Sequence, residues 1–214
     1  MPRRARQPSE SSPPSTIKLP APWLKSKFSL EEAITRRRSI RRYRAGAITL
    51  AELGQLLWAA QGITGTGELR ATPSAGATYP LEIFAVVGNG TVDELPAGIY
   101  HYQVDSHSLL VYLHGDLREE LARAALDQGF IAEAPVDIVI CALYPRTSYT
   151  YGRRGERYVH MEVGHTGENI HLQAVALGLA TVEVGAFVDE EVSKVLKLRE
   201  QIKPLYIMPV GKPL

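Results

Sequence analysis

The chain has 214 residues, 45% of them hydrophobic, and its 24 Lys and Arg against 23 Asp and Glu leave a formal net charge of +1. That length supports one large domain with a real core, and the even charge balance excludes bulk attraction to nucleic acid, which takes a strongly basic domain or stripe. A single cysteine, Cys141 in the apolar run VDIVICALY, excludes an intrachain disulfide and reads as a buried thiol.

Residues 1–27 are rich in Pro, Ser and charge and read as a flexible N-terminal tail, with the folded domain spanning 28–214. Arg3-Arg4 is not followed by the apolar stretch of an export signal. No run approaches the roughly 18 apolar residues of a membrane span. The expectation is a cytoplasmic protein with no membrane or nucleic-acid partner.

Ser29-Leu-Glu-Glu32 and Thr49-Leu-Ala-Glu52 both fit a capping box, in which the first hydroxyl takes a free backbone N–H and the glutamate reaches back. They predict helices over about Leu30 to Arg38 and over LAELGQLLWAAQ, which stops at Gly62. Leu81 to Gly88 is a continuous apolar run typical of a buried strand, and GIYHYQV and SLLVYLH flank Asp105-Ser106-His107 as a hairpin. Asp116 is expected to cap a helix running to Gln128, and Val136 to Leu143 reads as another buried strand. After a polar loop, a long helix is expected from Tyr158 to Leu177, ended by Gly178. ATVEVGAF reads as a strand or extended turn, Asp189 as the cap of a last helix, and Pro204 to Val210 as a closing strand. The mixture predicts an α+β fold with helices flanking a sheet. No GxGxxG or GxxxxGK[ST] supports a Rossmann or P-loop fold.

RRRSIRRYRA, Arg36 to Ala45, places six arginines in ten residues of a nearly neutral chain. The arginines begin in the last turn of a helix, where the dipole is negative, so side chains must do any anion binding. In an extended chain Arg37, Ser39 and Arg41 fall on one side. Two guanidinium forks and a hydroxyl suit a phosphate monoester, at about 1.5–3 kcal/mol for each hydrogen bond to a charged group. The alternative is a solvated basic helix end. In TPSAGATYPLE, Thr72 to Glu82, small residues allow a flat ligand to approach the backbone, while a plain tight turn is the other reading.

RRRSIRRY, PSAGATYPLE, GHTGENIHLQAVALGLA and YIMPVG, in that order, resemble the FMN-dependent nitroreductase superfamily, and within it the SagB-type dehydrogenase branch. The resemblance covers about Phe28 to Gly211. It implies a central mixed, mainly antiparallel sheet flanked by helices, in a homodimer. Arg37, Arg38, Ser39 and Arg41 would hold the FMN phosphate and ribityl chain. Pro73, Ser74, Ala75 and Gly76 would come from the other subunit and line the isoalloxazine. Val184 and Gly185 match the segment whose backbone faces the ring near N5, and Lys212 is a second phosphate contact. NAD(P)H is the implied co-substrate.

Azoline-oxidising members of that branch carry a Lys-Tyr pair before the long helix. The matching stretch here keeps Tyr151, a candidate catalytic proton donor, but has Thr150 for the lysine. A threonine hydroxyl is no base at neutral pH. Arg153, Arg154 and Arg157 read either as an acidic-ligand site or as a solvated loop. His160, His165 and His171 are spaced five and six apart, which does not fit a helical i,i+4 metal pair, so no metal is expected. The expected function is an FMN oxidoreductase passing hydride through flavin N5 from NAD(P)H or an organic donor to a small-molecule acceptor or a modified peptide. The alternative is a flavin-binding accessory protein without turnover in a peptide-modifying complex.

Overall fold

A computed structural model describes residues 15–214. Its strands are β1 (Thr16–Lys18), β2 (Tyr43–Arg44), β3 (Leu81–Val87), β4 (Gly98–Gln103), β5 (Ser108–His114), β6 (Val136–Leu143), β7 (Ala180–Thr181) and β8 (Ile202–Pro213). The helices are α1 (Leu30–Arg36), α2 (Leu50–Gln61), α3 (Arg118–Ala124), α4 (Gly129–Glu133), α5 (Pro145–Tyr151), α6 (Arg154–Ala176) and α7 (Asp189–Val195). The sheet runs β1-β5-β4-β3-β6-β8-β2, with β7 also on β8. All of these pairings are antiparallel. Among the described residues the parallel component of the expected mixed sheet is a single bridge, Ile48 to Val92.

The continuous apolar runs of the sequence become central strands buried on both faces. On β3, Leu81, Ile83, Ala85 and Val87 enter one core while Phe84 and Val86 enter a second. On β6, Val136, Ile138, Ile140 and Ala142 face the first, and Val139 and Cys141 the second. This is the period-two alternation of a strand with apolar layers above and below. The first layer is α2 and α6, through Leu53, Leu56, Leu57, Val159, Val163 and Ile170; the second is α3, α4 and α7, through Leu121, Ile131 and Val192. Cys141 is fully buried, and burial pushes its thiol up beyond any reactive range.

Several boundaries differ from the sequence expectation, each for a local reason. Of the segment expected to be a tail, residues 15–27 are described; Thr16–Lys18 pair with β5 and Leu19 is buried, so ordered structure starts well before Phe28. Helix α1 ends at Arg36, because Arg37 turns to extended ψ. The expected Asp116–Gln128 helix breaks at Leu126 and Asp127, both with positive φ, and α4 follows as a separate turn. Leu117 and not Asp116 holds the N-cap position, but Asp116 Oδ1 still accepts from the Arg118 N–H at 3.3 Å while the same carboxylate takes the Arg118 guanidinium and the Asn89 N–H. The polar loop before the long helix is itself helical, as α5, opened by Pro145 and closed by Gly152 at φ +55. Helix α6 then starts at Arg154, four residues before Tyr158.

The Thr49 capping box forms in full: Glu52 N–H donates to Thr49 Oγ1 at 3.1 Å and Thr49 N–H donates to Glu52 Oε2 at 2.7 Å. At Ser29 only the hydroxyl half is present. Thr49→Ala removes the cap at the start of a helix whose Leu53, Leu56 and Leu57 are fully buried. Chemical denaturation should show a loss of about 1 kcal/mol with an unchanged m-value.

Candidate functional site

Arg37 to Arg42 lies between α1 and β2 with no regular structure, so its backbone groups need partners from elsewhere. Ile40 N–H donates to Thr181 O at 3.0 Å, and the Tyr43 hydroxyl donates to Ile40 O at 3.0 Å. Nε2 of His171 on α6 lies 3.1 Å from Arg38 O. Ser39 and Arg41 are exposed and Arg37 is half-buried. Neither Arg37 nor Arg41 has an ion-pair partner among the described residues. Arg38 differs from the expectation for a phosphate ligand: its Nη1 donates to Thr35 O and Arg37 O, closing the end of α1.

Other expected residues join this strip. Thr181 and Val184 belong to the TVEVGAF segment, where Val184 exchanges both backbone hydrogen bonds with Ile207 of β8, leaving Gly185 exposed. Lys212 pairs with Arg44 across β2 and β8, its ammonium near Gly46. The arginine segment, Val184–Gly185 and the end of β8 thus form one continuous surface around the C-terminal half of α6.

Pro73–Gly76 stands apart from that strip, at the N-terminal half of α6. Ser74 Oγ accepts from Tyr79 N–H at 2.9 Å, and Thr78 is 2.8 Å from Thr147 of α5. Gly76 has φ +60, and a Cβ there would sit 2.5 Å from the Tyr151 hydroxyl, so a side chain at this position would be strained and would displace the Tyr151 ring. Tyr151 therefore caps this turn, with Tyr158 edge-on to its ring at 5.1 Å. Thr150 is exposed on α5.

Beneath the turn lies a buried polar group that the sequence reading did not identify. Arg70 Nη1 donates to Gln61 Oε1, Gln61 Nε2 donates to Thr166 Oγ1, and Thr166 Oγ1 donates to Thr72 Oγ1. Asn169 Nδ2 reaches Ala59 O and Thr72 Oγ1, tying α6 to the end of α2. Glu162 is 2% exposed, and its Oε1 has no hydrogen-bond partner among the described residues; Arg70 Nε is likewise unpartnered. Burial pushes the Glu162 carboxyl up to about 7, against the pull of Ser74, Gln61 and the Arg70 charge. Periodicity carried a signal for it: Glu162 falls on the same α6 face as buried Val159, Thr166 and Ile170.

His171 and Glu183 were also missed as a pair, because their 2.7 Å contact joins a helix to a strand segment and no helical spacing reveals it. Glu168 brings a third donor, the three ligand atoms lying within 4.8 Å of one another. His160 instead pairs with the Tyr144 hydroxyl at 2.6 Å. Arg153, in the turn before α6, and Arg157, in its first turn, edge a shallow surface groove with Glu156 and Met161.

Residues 34–212 match the model of the nitroreductase family, and the chain belongs to that family. Protein MJ1384 of Methanocaldococcus jannaschii, described as a candidate nitroreductase, is 48% identical over 185 residues, 86% of this chain and 91% of that one. The microcin B17-processing protein McbC of Escherichia coli is 27% identical over 147 residues, 66% of this chain and 54% of its own length, so the chain spans about half of that relative. A crystal structure of a candidate nitroreductase from Ralstonia eutropha superposes with a TM-score of 0.81 at 25% identity, over 97% of this chain and 98% of that one. The α+β architecture expected from the sequence is the nitroreductase-like fold, and oxidoreductase chemistry is the activity of the class. No described helix is long and apolar enough to cross a membrane.

Burial pushes the Glu162 carboxyl up to about 7 in the fold, from the ordinary 4.5 of an exposed glutamate in the unfolded chain. The folded state holds the extra proton between those values, so this contribution to stability is complete below the lower one and is lost as pH rises through the higher. Glu162→Gln, which cannot ionise, should therefore unfold at higher denaturant than the wild type at pH 8, by about 2–3 kcal/mol. At pH 4.5 the advantage should vanish. A constant difference across that range would mean that the carboxyl does not titrate in the fold.

Proposed function

We propose that this nitroreductase-family chain is an FMN-dependent oxidoreductase of the SagB-like branch, working as a cytoplasmic homodimer. The observation that carries the reading is the strip that joins Arg37, Ser39 and Arg41 to Val184–Gly185. It offers two guanidinium groups without an ion-pair partner among the described residues, one hydroxyl and exposed main chain. A terminal phosphate near two negative charges fits that donor set, since bidentate guanidinium suits phosphate oxygens. When bound, FMN supplies the hydride-accepting N5.

The residues of the chain divide the remaining work. Arg37, Arg41 and Ser39 hold the phosphate, and Lys212 adds positive charge at the far end of the strip. Val184 and Gly185 present backbone to the ring, held rigid by the double hydrogen bond to Ile207. Pro73–Gly76 forms a flat wall of small residues, and Tyr151 beside Gly76 is placed to give a proton to an acceptor. NAD(P)H or an organic substrate delivers the hydride, and a nitroaromatic, a quinone or oxygen removes it.

Two attachments to α6 favour a site shared between subunits. Glu162 underlies the Ser74 turn and His171 holds Arg38, nine residues further along. At the helical rise the two half-sites are separated by about 13 Å along the axis within one chain. From five residues before Glu162 to three before His171, α6 presents an exposed stripe of Arg157, Met161, Gly164, His165 and Glu168, with Met161 53% exposed, on which a second copy can pack.

Thr150 and the similarity to McbC favour one further reading, a non-catalytic flavin-binding accessory protein in a peptide-modifying complex. Anaerobic NADH or NADPH separates the two: the enzyme's bound flavin bleaches and recovers with a nitroaromatic, while an accessory protein stays yellow. The purified chain should release FMN and not FAD. Arg41→Ala should weaken FMN roughly ten- to a hundred-fold while leaving riboflavin, which lacks the phosphate, nearly unchanged. Equal losses for both ligands, measured by fluorescence titration of the flavin-free protein, would place Arg41 in the fold and not in the site.

A further inference from the structure

We infer that His171 is a doubly donating brace that sets FMN selectivity by locking the arginine segment to the strand segment at Val184–Gly185. The inference rests on the FMN reading above. Its basis is the pair of acceptors at the two ends of one imidazole. Nε2 faces the Arg38 carbonyl oxygen at 3.1 Å, and Nδ1 faces Glu183 Oε1 at 2.7 Å. A carbonyl oxygen can only accept, and so can an ionised carboxylate. Both contacts hold together only when the ring carries a proton on each nitrogen, or when Glu183 carries the second one. Burial works to raise the Glu183 carboxyl, but the hydrogen bond and charge of His171, with a smaller pull from Arg37, hold it below the usual carboxylate range. With Glu183 ionised, the geometry makes both ring nitrogens donors, one to Glu183 Oε1 and one to Arg38 O.

The setting explains why such a pair is worth burying. His171 is 1% exposed, and replacing it by an apolar side chain would leave Glu183 and the Arg38 carbonyl without their donor. Arg37, Arg38, Arg41 and Arg42 repel one another along a segment with no ladder of its own. Its backbone is fixed at Ile40 by Thr181 and Tyr43, while the Arg38 carbonyl is held by His171. Glu183 directly precedes Val184. One ring thus fixes the spacing between the phosphate-binding residues and the main chain that faces the isoalloxazine. The charged groups around the ring are Glu183, Glu168 and Arg37.

Two measurements test the brace. In flavin-free protein labelled with 15N histidine, at pH 7, both His171 ring nitrogens should carry protons, and Glu183→Gln should return one of them to the unprotonated state. His171→Leu and Glu183→Gln should each weaken FMN by roughly tenfold while changing riboflavin by less than about twofold, because the loss falls on the phosphate-binding segment. His171→Gln, whose amide can still donate to Arg38 O, should recover part of the FMN affinity. An unprotonated nitrogen in the wild type, or equal losses for FMN and riboflavin in both variants, overturns the brace while the FMN reading stands. A wild type with no affinity for FMN overturns that reading and the selectivity role with it.

Discussion

Backbone polar groups in irregular segments must find partners, and in this fold α6 supplies those of the Arg38 and Ala71 carbonyls and ties down the Thr72 side chain. The two stretches that carry the candidate cofactor contacts, residues 37–42 and 62–79, have little regular structure of their own. Their buried N–H and C=O groups would each cost about 1–3 kcal/mol if left unsatisfied. Asn169 takes Ala59 O and Ala71 O, Thr166 binds Thr72, and His171 takes Arg38 O. A 23-residue helix that buries Glu162, Thr166 and His171 would be poor design for stability alone. It makes sense as a rail on which two loops are mounted at fixed positions.

The sheet makes that rail rigid. Strands β3, β6 and β8 are buried on both faces, and α6 lies over one of them through Val159, Val163, Ile170 and Ala174. Displacing the helix would expose that apolar face, so the spacing between the two loops inherits the stiffness of the core. The other face, under α3, α4 and α7, contributes too: Val184 is buried in that core and Arg41 lies over the Phe130 ring of α4, 5.9 Å from its centroid. The candidate site therefore draws on both layers, with α6 mounting the two loops and the second core holding the Val184 segment.

Much of this was legible in the sequence. The central strands and α2 were readable because long apolar runs and a full capping box are local signals, and α2 has the expected boundaries Leu50–Gln61. Residues near the ends of elements were less so. Arg38 falls among the arginines of the motif, yet its guanidinium closes α1, a competition between ligand and helix end that no spacing reveals. Asp116 had the right residue type for a cap and does take the Arg118 N–H, but it shares its carboxylate with the Arg118 guanidinium and the Asn89 N–H, from one position before the N-cap. The least visible features were the His171–Glu183 contact and the Gln61–Arg70–Thr166 network, which join residues from 9 to 105 positions apart. Such contacts are products of the tertiary fold, and periodicity shows at most that one member is buried.

The proposed flavin site is assembled from two copies of the chain, with the arginine strip of one meeting the Pro73–Gly76 wall of the other. Subunit complementation tests it most directly. One variant carries Arg37→Ala with Arg41→Ala; the other carries Gly76→Val, whose Cβ would meet the Tyr151 hydroxyl at 2.5 Å. Each alone should bind little FMN. After the two are unfolded together and refolded as a mixture, half of the dimers are mixed and each mixed dimer regains one intact site, so about a quarter of all sites should bind FMN. If both halves of the site came from the same chain, no mixing could restore any, and FMN binding would stay at the level of the separate variants.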